Sequence, residues 1–125
     1  METKQKQLGS WKEQVELLSQ DQQQLLKDTI RYGGWGDGQE SFLNPSGEIE
    51  EDWFYGYCTN EAKRGGHFSG RQISAMFSQI IRKLCPKNGI GVFFSHCSDW
   101  WGDGTGDMFF VRHSISDEVE QWAAN

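Results

Sequence analysis

The sequence has few of the features that would place it in a familiar class of protein. No apolar run approaches the roughly 20 residues that a membrane-spanning helix needs, and the polar start of the chain is unlike a signal peptide. The three cysteines have no Cys-x-x-Cys spacing, and their odd number is typical of free thiols in a reducing compartment. These absences favour a cytoplasmic protein that does not associate with membranes.

The usual catalytic motifs are also missing. The chain contains no phosphate-binding loop of the form G-x-x-x-x-G-K-[ST], no G-x-S-x-G or H-E-x-x-H motif, and no dinucleotide fingerprint. The sequence therefore predicts no cofactor. It lowers the expectation of a familiar enzyme without excluding an unfamiliar one.

Acidic residues are absent from one long segment. Residues 62–98 contain no Asp or Glu but six cations, so this segment carries a charge of +6. Because the whole chain carries −6, the remainder carries −12. Such polarity bears on binding partners rather than on fold. The six cations are Lys63, Arg64, Arg71, Arg82, Lys83 and Lys87.

The central part of the basic segment has the pattern of an amphipathic helix. Between Ser69 and Pro86, apolar residues recur at steps of three and one, as expected when one helix face is buried. Ser69 and Gln72 form a capping-box pattern at its start. Pro86 disfavours helical geometry at Cys85, so the helix is expected to end there.

The rest of the chain predicts further helices and strands. Residues 10–18 and 19–33 are expected to form two helices, broken at a second capping box, with one long helix as the alternative. Strands over 39–43 and 52–58 form a hairpin, and strands over 90–95 and 107–113 are expected to pair antiparallel. The 90–95 strand, apolar on both faces, is expected inside the sheet. Ser116 is expected to cap a final helix.

These elements predict an α+β fold. Residues 1–9 are expected to be a flexible N-terminus, and residues 10–125 a single domain. We expect a four-stranded, mainly antiparallel sheet of two hairpins. The central amphipathic helix and the terminal helices would pack on it.

The loop before the central helix is a candidate anion site. Glycines allow a ligand to approach the backbone, the helix start offers unpaired N–H groups, and the basic residues add charge. A solvated loop that offsets the acidic remainder of the chain is the alternative interpretation. The candidate ligand-binding residues here are Lys63, Arg64, Gly65, Gly66, His67, Ser69 and Arg71.

A repeated tetrapeptide supplies further candidate ligand-binding residues. Trp-Gly-Asp-Gly occurs at residues 35–38 and 101–104. If both lie in loops at one end of the sheet, Trp35 and Trp101 would stack on a base, with Asp37 and Asp103 as acceptors. The alternative is ordinary turn chemistry, with each tryptophan folded back onto the core.

Two further patterns are weaker. Asp99, Asp103 and Asp107 recur at four-residue steps, but they match no calcium-binding loop and are more typical of solvated carboxylates. Cys58 and the His96-Cys97 pair end different predicted strands and would form a nucleophile or zinc site only if they converge. Buried free thiols are the more common outcome.

Three functions follow from these patterns. The first is a binding protein that holds a phosphate-bearing ligand, either a nucleotide or nucleic acid, at the basic loop. The second is a small acidic inhibitor or accessory protein, of phage or mobile-element type, which binds a protein partner through its acidic surface. The third is an enzyme that uses His96, Cys97 and the loop aspartates.

Overall fold

Four α-helices form within residues 10–98 and 106–125, the part of the chain that the computed structural model describes. The predicted flexible segment, residues 1–9, lies outside these residues. The helices are α1 (Trp11–Val15), α2 (Gln20–Tyr32), α3 (Gly70–Leu84) and α4 (Ser116–Ala124). Two 3-10 helices, Thr59–Gly65 and His113–Ile115, precede α3 and α4.

Both predicted capping boxes form. The Ser19 hydroxyl accepts from the Gln22 N–H at 3.1 Å, and the Gln22 side chain accepts from the Ser19 N–H at 3.0 Å. Ser69 and Gln72 make the same pair of bonds at the start of α3. The chain therefore forms two separate helices, one before and one after Ser19, as the first interpretation predicted. The cap at Ser19 satisfies the free N–H groups of the second helix.

The four strands form one antiparallel sheet in the order β1-β2-β4-β3. The strands are β1 (Gly34–Leu43), β2 (Ile49–Cys58), β3 (Phe94–Cys97) and β4 (Met108–Arg112). β1 and β2 form one hairpin and β3 and β4 the other, so the predicted α+β class and two-hairpin sheet are confirmed.

The two faces of the sheet bury different cores. Tyr57, Phe109 and Val111 lie on the helix face and join the buried residues of α1 to α4 in the larger core. The opposite face carries a small aromatic cluster of Phe42, Phe54, Met108 and Phe110, each no more than 1% exposed. Alternate residues of each strand point to opposite faces, so β2 and β4 contribute to both cores, whereas β1 supplies only Phe42, to the aromatic cluster.

The sheet curls so that its edges approach each other at one end. The Leu43 N–H donates to the Gly91 carbonyl at 2.9 Å, which joins the end of β1 to the segment before β3. Arg112 lies beneath this junction and donates to the carbonyls of Leu43 and Val92. Its guanidinium also lies 4.7 Å from the centre of the Phe42 ring.

The predicted loop at residues 35–38 is wrong, because these residues belong to β1. Gly36 pairs with Gly56 and Gly38 with Phe54. The Trp35 ring lies over Gly56, where a Cβ would come within 2.5 Å of it. Gly38 lies beneath the Phe54 ring, which is 3.2 Å from where a Cβ would be, so Gly38 and Gly56 make room for aromatic rings on the sheet.

The predicted inner strand at residues 90–95 is also wrong in position. β3 begins at Phe94 and lies at the edge of the sheet, next to β4. Both faces of its first half are buried, since Phe94 and Ser95 are 0% and 2% exposed, and the segment before β3 covers its edge through the His96 N–H to Gly89 carbonyl bond.

The start of the last helix differs from its prediction. Ile115 occupies the N-cap position of α4, and the Ser116 hydroxyl donates to the His113 carbonyl at 2.9 Å. Among the helices in the described ranges, none is long and apolar enough to cross a membrane.

Candidate functional site

A cleft among the described residues lies between α3 and the sheet edge at β3. Its volume is about 570 Å³, which is in the range of small-molecule sites. Helix α3 supplies one wall, and the turn before β3 and the end of that strand supply the other. The lining residues are Phe77, Ser78, Ile81, Arg82, Asn88, Gly89, His96, Cys97, Ser98 and Asp107. We call this the α3–β3 cleft.

The acid-free segment builds almost all of this cleft. Every lining residue except Asp107 lies between residues 62 and 98. Arg82 is exposed at the cleft wall, and none of the ion pairs found within the described ranges involves it. Its guanidinium is thus a full positive charge available to a ligand.

Local pairing positions the turn that forms the far wall. Asn88 and Gly89 both adopt positive φ, +56° and +85°, as the two central residues of a tight hairpin turn require. Lys87 and Ile90 pair across this turn. Gly89 lies so close to β3 that a Cβ would come 2.7 Å from the His96 carbonyl oxygen. The turn therefore fixes the backbone of Asn88 and the backbone beside His96.

His96 and Asp107 face each other in the cleft. The Asp107 Oδ2 lies 3.6 Å from the His96 Nε2, which is longer than a hydrogen bond. This nitrogen is buried and has no hydrogen-bond partner among the described residues. Thr59 holds Asp107 in place, because its N–H and its hydroxyl both donate to the Asp107 carbonyl at 3.1 Å.

Burial sets the protonation state of His96. The side chain is 12% exposed, and burial lowers the pKa of His96 below its usual 6.5, although the Asp107 carboxylate acts in the opposite direction. His96 is therefore a neutral imidazole near neutral pH. In that state it can accept a proton or a hydrogen bond from a ligand.

The cysteines do not form a catalytic pair with His96. His96 and Cys97 are adjacent in β3, so their side chains point to opposite faces, and Cys97 packs against the aromatic cluster. Cys58 and Cys97 flank Met108 in register, which places them two strand spacings, about 10 Å, apart. Burial raises the pKa of the Cys85 thiol, which keeps it protonated. The thiols therefore do not converge.

The basic glycine-rich loop is more constrained than the sequence suggested. Arg64 Nη1 lies 3.4 Å from Glu61 Oε1, and His67 Nδ1 lies 2.9 Å from Asp28 Oδ2. The hydroxyl of Ser69 serves the helix cap. Lys63 and Arg71 are exposed and form no ion pair with another described residue. Much of the loop's polar chemistry is thus already satisfied within the protein.

A buried carboxylate organises this loop. Asp28 is fully buried, and it accepts a hydrogen bond from the Gln24 side chain at 3.0 Å in addition to its contact with His67. Gly65 packs directly on it, because a Cβ there would come 2.5 Å from the Asp28 carboxyl carbon. Gly66 then turns the chain with a φ of +78°. Gly65 and Gly66 are explained by this packing without a ligand.

A second cleft, of about 480 Å³, lies beside the same loop. His67 and Phe68 form one side of it, and α2 forms the other with several glutamines and Lys27. The Lys27 ammonium lies 5.0 Å from the centre of the Trp122 ring, which engages this charge in a cation–π contact. This cleft includes one predicted site residue, His67, but it carries Asp21 as well.

Trp35, the predicted stacking residue within the described ranges, does not lie at the basic loop. Trp35 is stacked on Phe54, with 6.4 Å between ring centroids, on the sheet face opposite the helices. The basic loop packs on α2, on the helix face. Asp37 pairs in register with Tyr55 in the sheet. Trp101 and Asp103 lie outside the described residues, as does Asp99.

The cleft as a unit was not predicted from the sequence, although several of its residues were named as candidates. Arg82 was counted only among the six cations of the acid-free segment. The available signal was the register of the β3–β4 hairpin: once His96 pairs with Phe109, Asp107 becomes its diagonal neighbour. Within the described residues, no group of three His, Cys, Asp or Glu could hold a metal ion.

Comparison with known proteins adds no assignment. No protein family model, no curated protein and no solved structure matches this chain. The geometry of the cleft is therefore the basis for proposing a function.

Proposed function

We propose that this protein binds a small phosphate-bearing ligand in the α3–β3 cleft. The observation that carries the proposal is the construction of the cleft from the acid-free segment, with Arg82 exposed at its wall. This moves the expected anion site from the glycine-rich loop to the opposite end of the same helix. Arg82 lies eleven residues after Arg71, which is about 16 Å along a helix axis.

The polar groups of the cleft suit an anion at one end of the ligand. An arginine guanidinium binds phosphate through paired, charge-assisted hydrogen bonds. Ser78 lies one helical turn before Arg82 and adds a hydroxyl, and Asn88 adds a side-chain amide from the facing wall. These groups donate to phosphate oxygens without a metal ion.

The other end of the cleft suits a neutral polar group. The Asp107 carboxylate repels phosphate but accepts hydrogen bonds from a hydroxyl or an amino group, and neutral His96 offers a further acceptor. Phe77 and Ile81 supply apolar wall between the two ends. A nucleotide combines these features, whereas a long nucleic acid would be repelled by the net charge of −6.

Titration with inorganic phosphate, a nucleoside monophosphate and the matching nucleoside tests the proposal. We expect the nucleotide to raise the melting temperature and to bind more tightly than either fragment. Arg82→Gln should weaken nucleotide binding about tenfold to a hundredfold, since a hydrogen bond to a charged group contributes about 1.5–3 kcal/mol.

Arg71→Gln is the matched control, because Arg71 lies on the same exposed helix face as Arg82 but outside the cleft. It should leave nucleotide affinity within about twofold. If Arg71→Gln and Lys63→Gln weaken binding while Arg82→Gln does not, the ligand occupies the glycine-rich loop instead. If no phosphate compound stabilises the protein, the proposal is wrong.

The contact between His96 and Asp107 favours a second candidate function, an enzyme that acts on the same ligand. A buried neutral imidazole beside a carboxylate is suited to general-base chemistry. Under this hypothesis His96→Gln retains nucleotide binding and abolishes turnover of a panel of nucleotides and phosphate esters. A panel that yields no product with the wild-type protein contradicts it.

The proposal includes a cytoplasmic location. None of the three cysteines forms a disulfide, and Cys58 and Cys97 remain partly exposed. Free thiols that reach the surface are compatible with a reducing compartment. Fractionation of cells that express the protein tests this part of the proposal.

A further inference from the structure

The outer half of the β1–β2 hairpin extends beyond the rest of the sheet. β2 pairs with β1 from Ile49 to Tyr57, but with β4 only from Phe54 to Cys58. The first five residues of β2 therefore have a partner strand on one side only. We call the part of the hairpin from Gln39 to Trp53 the hairpin arm.

One face of the hairpin arm carries an exposed apolar stripe. Ile49, Glu51 and Trp53 alternate along β2 and so point to the same side. Ile49 and Trp53 are each 52% exposed, and Glu51 between them is exposed as well. At about 3.3 Å per residue the stripe spans about 13 Å. Exposed apolar groups rimmed by polar residues mark protein interaction sites.

The segment that contains this stripe carries charge of a single sign. Residues 32–62 contain seven acidic residues and no Lys or Arg. Two of them, Glu50 and Asp52, are bound to Arg112 on the other face of the hairpin arm, at 2.7 and 2.8 Å. Glu51 forms no ion pair with any described residue. The exposed face therefore presents an uncompensated carboxylate between two apolar groups.

The hairpin arm is held in place before any partner arrives. Arg112 bonds to both carboxylates and to the backbone at Leu43 and Val92. At the tip, the Asn44 side-chain oxygen accepts from the backbone N–H groups of Ser46 and Glu48. A surface fixed in this way loses little conformational entropy on binding.

We propose that Ile49, Glu51 and Trp53 form a docking surface for a cationic polypeptide segment. The matching segment is extended and presents a Lys or Arg between two apolar side chains, at alternate positions. Its apolar groups would cover Ile49 and the Trp53 ring, while its cation pairs with Glu51 and contacts the indole face. The pitch of one extended strand matches that of another, which favours this form over a helix.

Charge decides against two other occupants. A nucleic acid would be repelled by the acidic arm. A second copy placed symmetrically would bring Glu51 against its equivalent, because a twofold interface pairs the same surface with itself. The acidic charge that excludes a nucleic acid and a second copy attracts a basic partner.

The test uses a labelled peptide of sequence Val-Ser-Lys-Ser-Val-Ser-Lys-Ser-Val, with a copy in which Glu replaces each Lys. We expect the lysine peptide to bind in fluorescence anisotropy, with affinity that falls as salt is raised. Trp53→Thr and Ile49→Thr should each weaken binding at least about tenfold, since threonine keeps the strand preference but removes apolar contact. Glu51→Lys should lose the lysine peptide and gain the glutamate peptide.

Leu17→Ser is the matched control. Leu17 is an exposed apolar residue, 66% exposed, but it lies between α1 and α2, away from the hairpin arm. It should leave peptide binding unchanged. Melting temperatures verify that each variant folds.

Three outcomes would overturn the proposal. Wild-type affinity in both Trp53→Thr and Glu51→Lys would show that the stripe is not the contact surface. Equal loss in Leu17→Ser would show unspecific adsorption to apolar groups. A protein dimer in analytical ultracentrifugation that Trp53→Thr dissociates would assign the surface to a second copy.

Discussion

The hairpin arm and the α3–β3 region carry opposite charge and handle it differently. In the hairpin arm, Arg112 from a neighbouring strand binds two of the carboxylates, and the contacts stabilise the arm. In the α3–β3 region, Arg82 lies at a cleft wall and forms no ion pair with the other described residues. A run of charged residues in a sequence therefore predicts the net charge of a region. Only the structure shows which of these charges form ion pairs and which are left to bind a ligand.

The largest expected effect comes from removing the arginine that anchors the hairpin arm. Arg112→Ala should lower the free energy of unfolding by about 3 kcal/mol, because it leaves two carboxylates side by side without their cation. Arg82→Ala should change it by no more than about 0.5 kcal/mol, as an exposed residue without structural partners. Urea unfolding of both variants checks the comparison. Equal stability of the two would mean that Arg112 does not anchor the arm.

Glycines in the two regions provide the next comparison. Gly89 and Gly47 have nearly the same backbone, with φ of +85° and +88°, but only Gly89 has a neighbour within 4 Å of an added Cβ. Gly47→Ala should cost about 1 kcal/mol from backbone strain. Gly89→Ala should cost about 2–3 kcal/mol, since the clash with the His96 carbonyl adds to the strain. An equal loss of stability in the two variants would contradict the close contact between Gly89 and the His96 carbonyl.

The pH dependence of stability reports on His96. Its folded pKa lies below the usual 6.5, so the unfolded chain binds more protons in the window just below that value. Stability should therefore rise with pH through this window, by less than about 1.4 kcal/mol per pH unit. His96→Gln should flatten the rise, while His113→Gln, which removes an exposed imidazole outside the cleft, should retain it. Chemical denaturation at several pH values measures both slopes, and an unchanged slope in His96→Gln would contradict the burial argument.

The smallest expected effect separates two adjacent acids of the hairpin arm. Glu50→Gln should cost about 1 kcal/mol because it weakens the bond to Arg112. Glu51→Gln should change stability by less than about 0.5 kcal/mol, because its side chain is exposed and forms no ion pair with another described residue. Differential scanning calorimetry resolves the pair. A larger loss for Glu51→Gln would assign that carboxylate a structural role and remove it from the docking surface.

Local signals allowed the helices to be predicted from the sequence. The capping boxes at Ser19 and Ser69 depend on residues three apart, and the apolar stripe of α3 depends on helical spacing alone. The strands were harder to predict, because each one is defined by pairing with a strand that is distant in the sequence. Residues 35–38 resembled a turn because of their glycines, and only pairing with β2 shows that they form a strand.

The candidate site was harder to predict for the same reason. Arg82, His96 and Asp107 come from a helix, a strand and the start of another strand, and no spacing in the sequence links them. The glycines at 65 and 66 suggested space for a ligand, but in the structure Gly65 accommodates the buried Asp28 carboxylate. A glycine-rich segment indicates that another group approaches the backbone closely, but it does not show whether that group is a ligand or part of the protein.

The hydrogen bond between Leu43 and Gly91 has a consequence for how the protein behaves at high concentration. Open strand edges recruit neighbouring molecules and begin fibrous aggregates. Here one sheet edge is tied to the segment that precedes the opposite edge, so backbone groups at that end are already occupied. The remaining length of β1 carries Asp37 and Glu40, whose charges repel a second copy of the same strand. The chain thus resists edge-to-edge stacking at one end by closure and along the rest of β1 by repulsion.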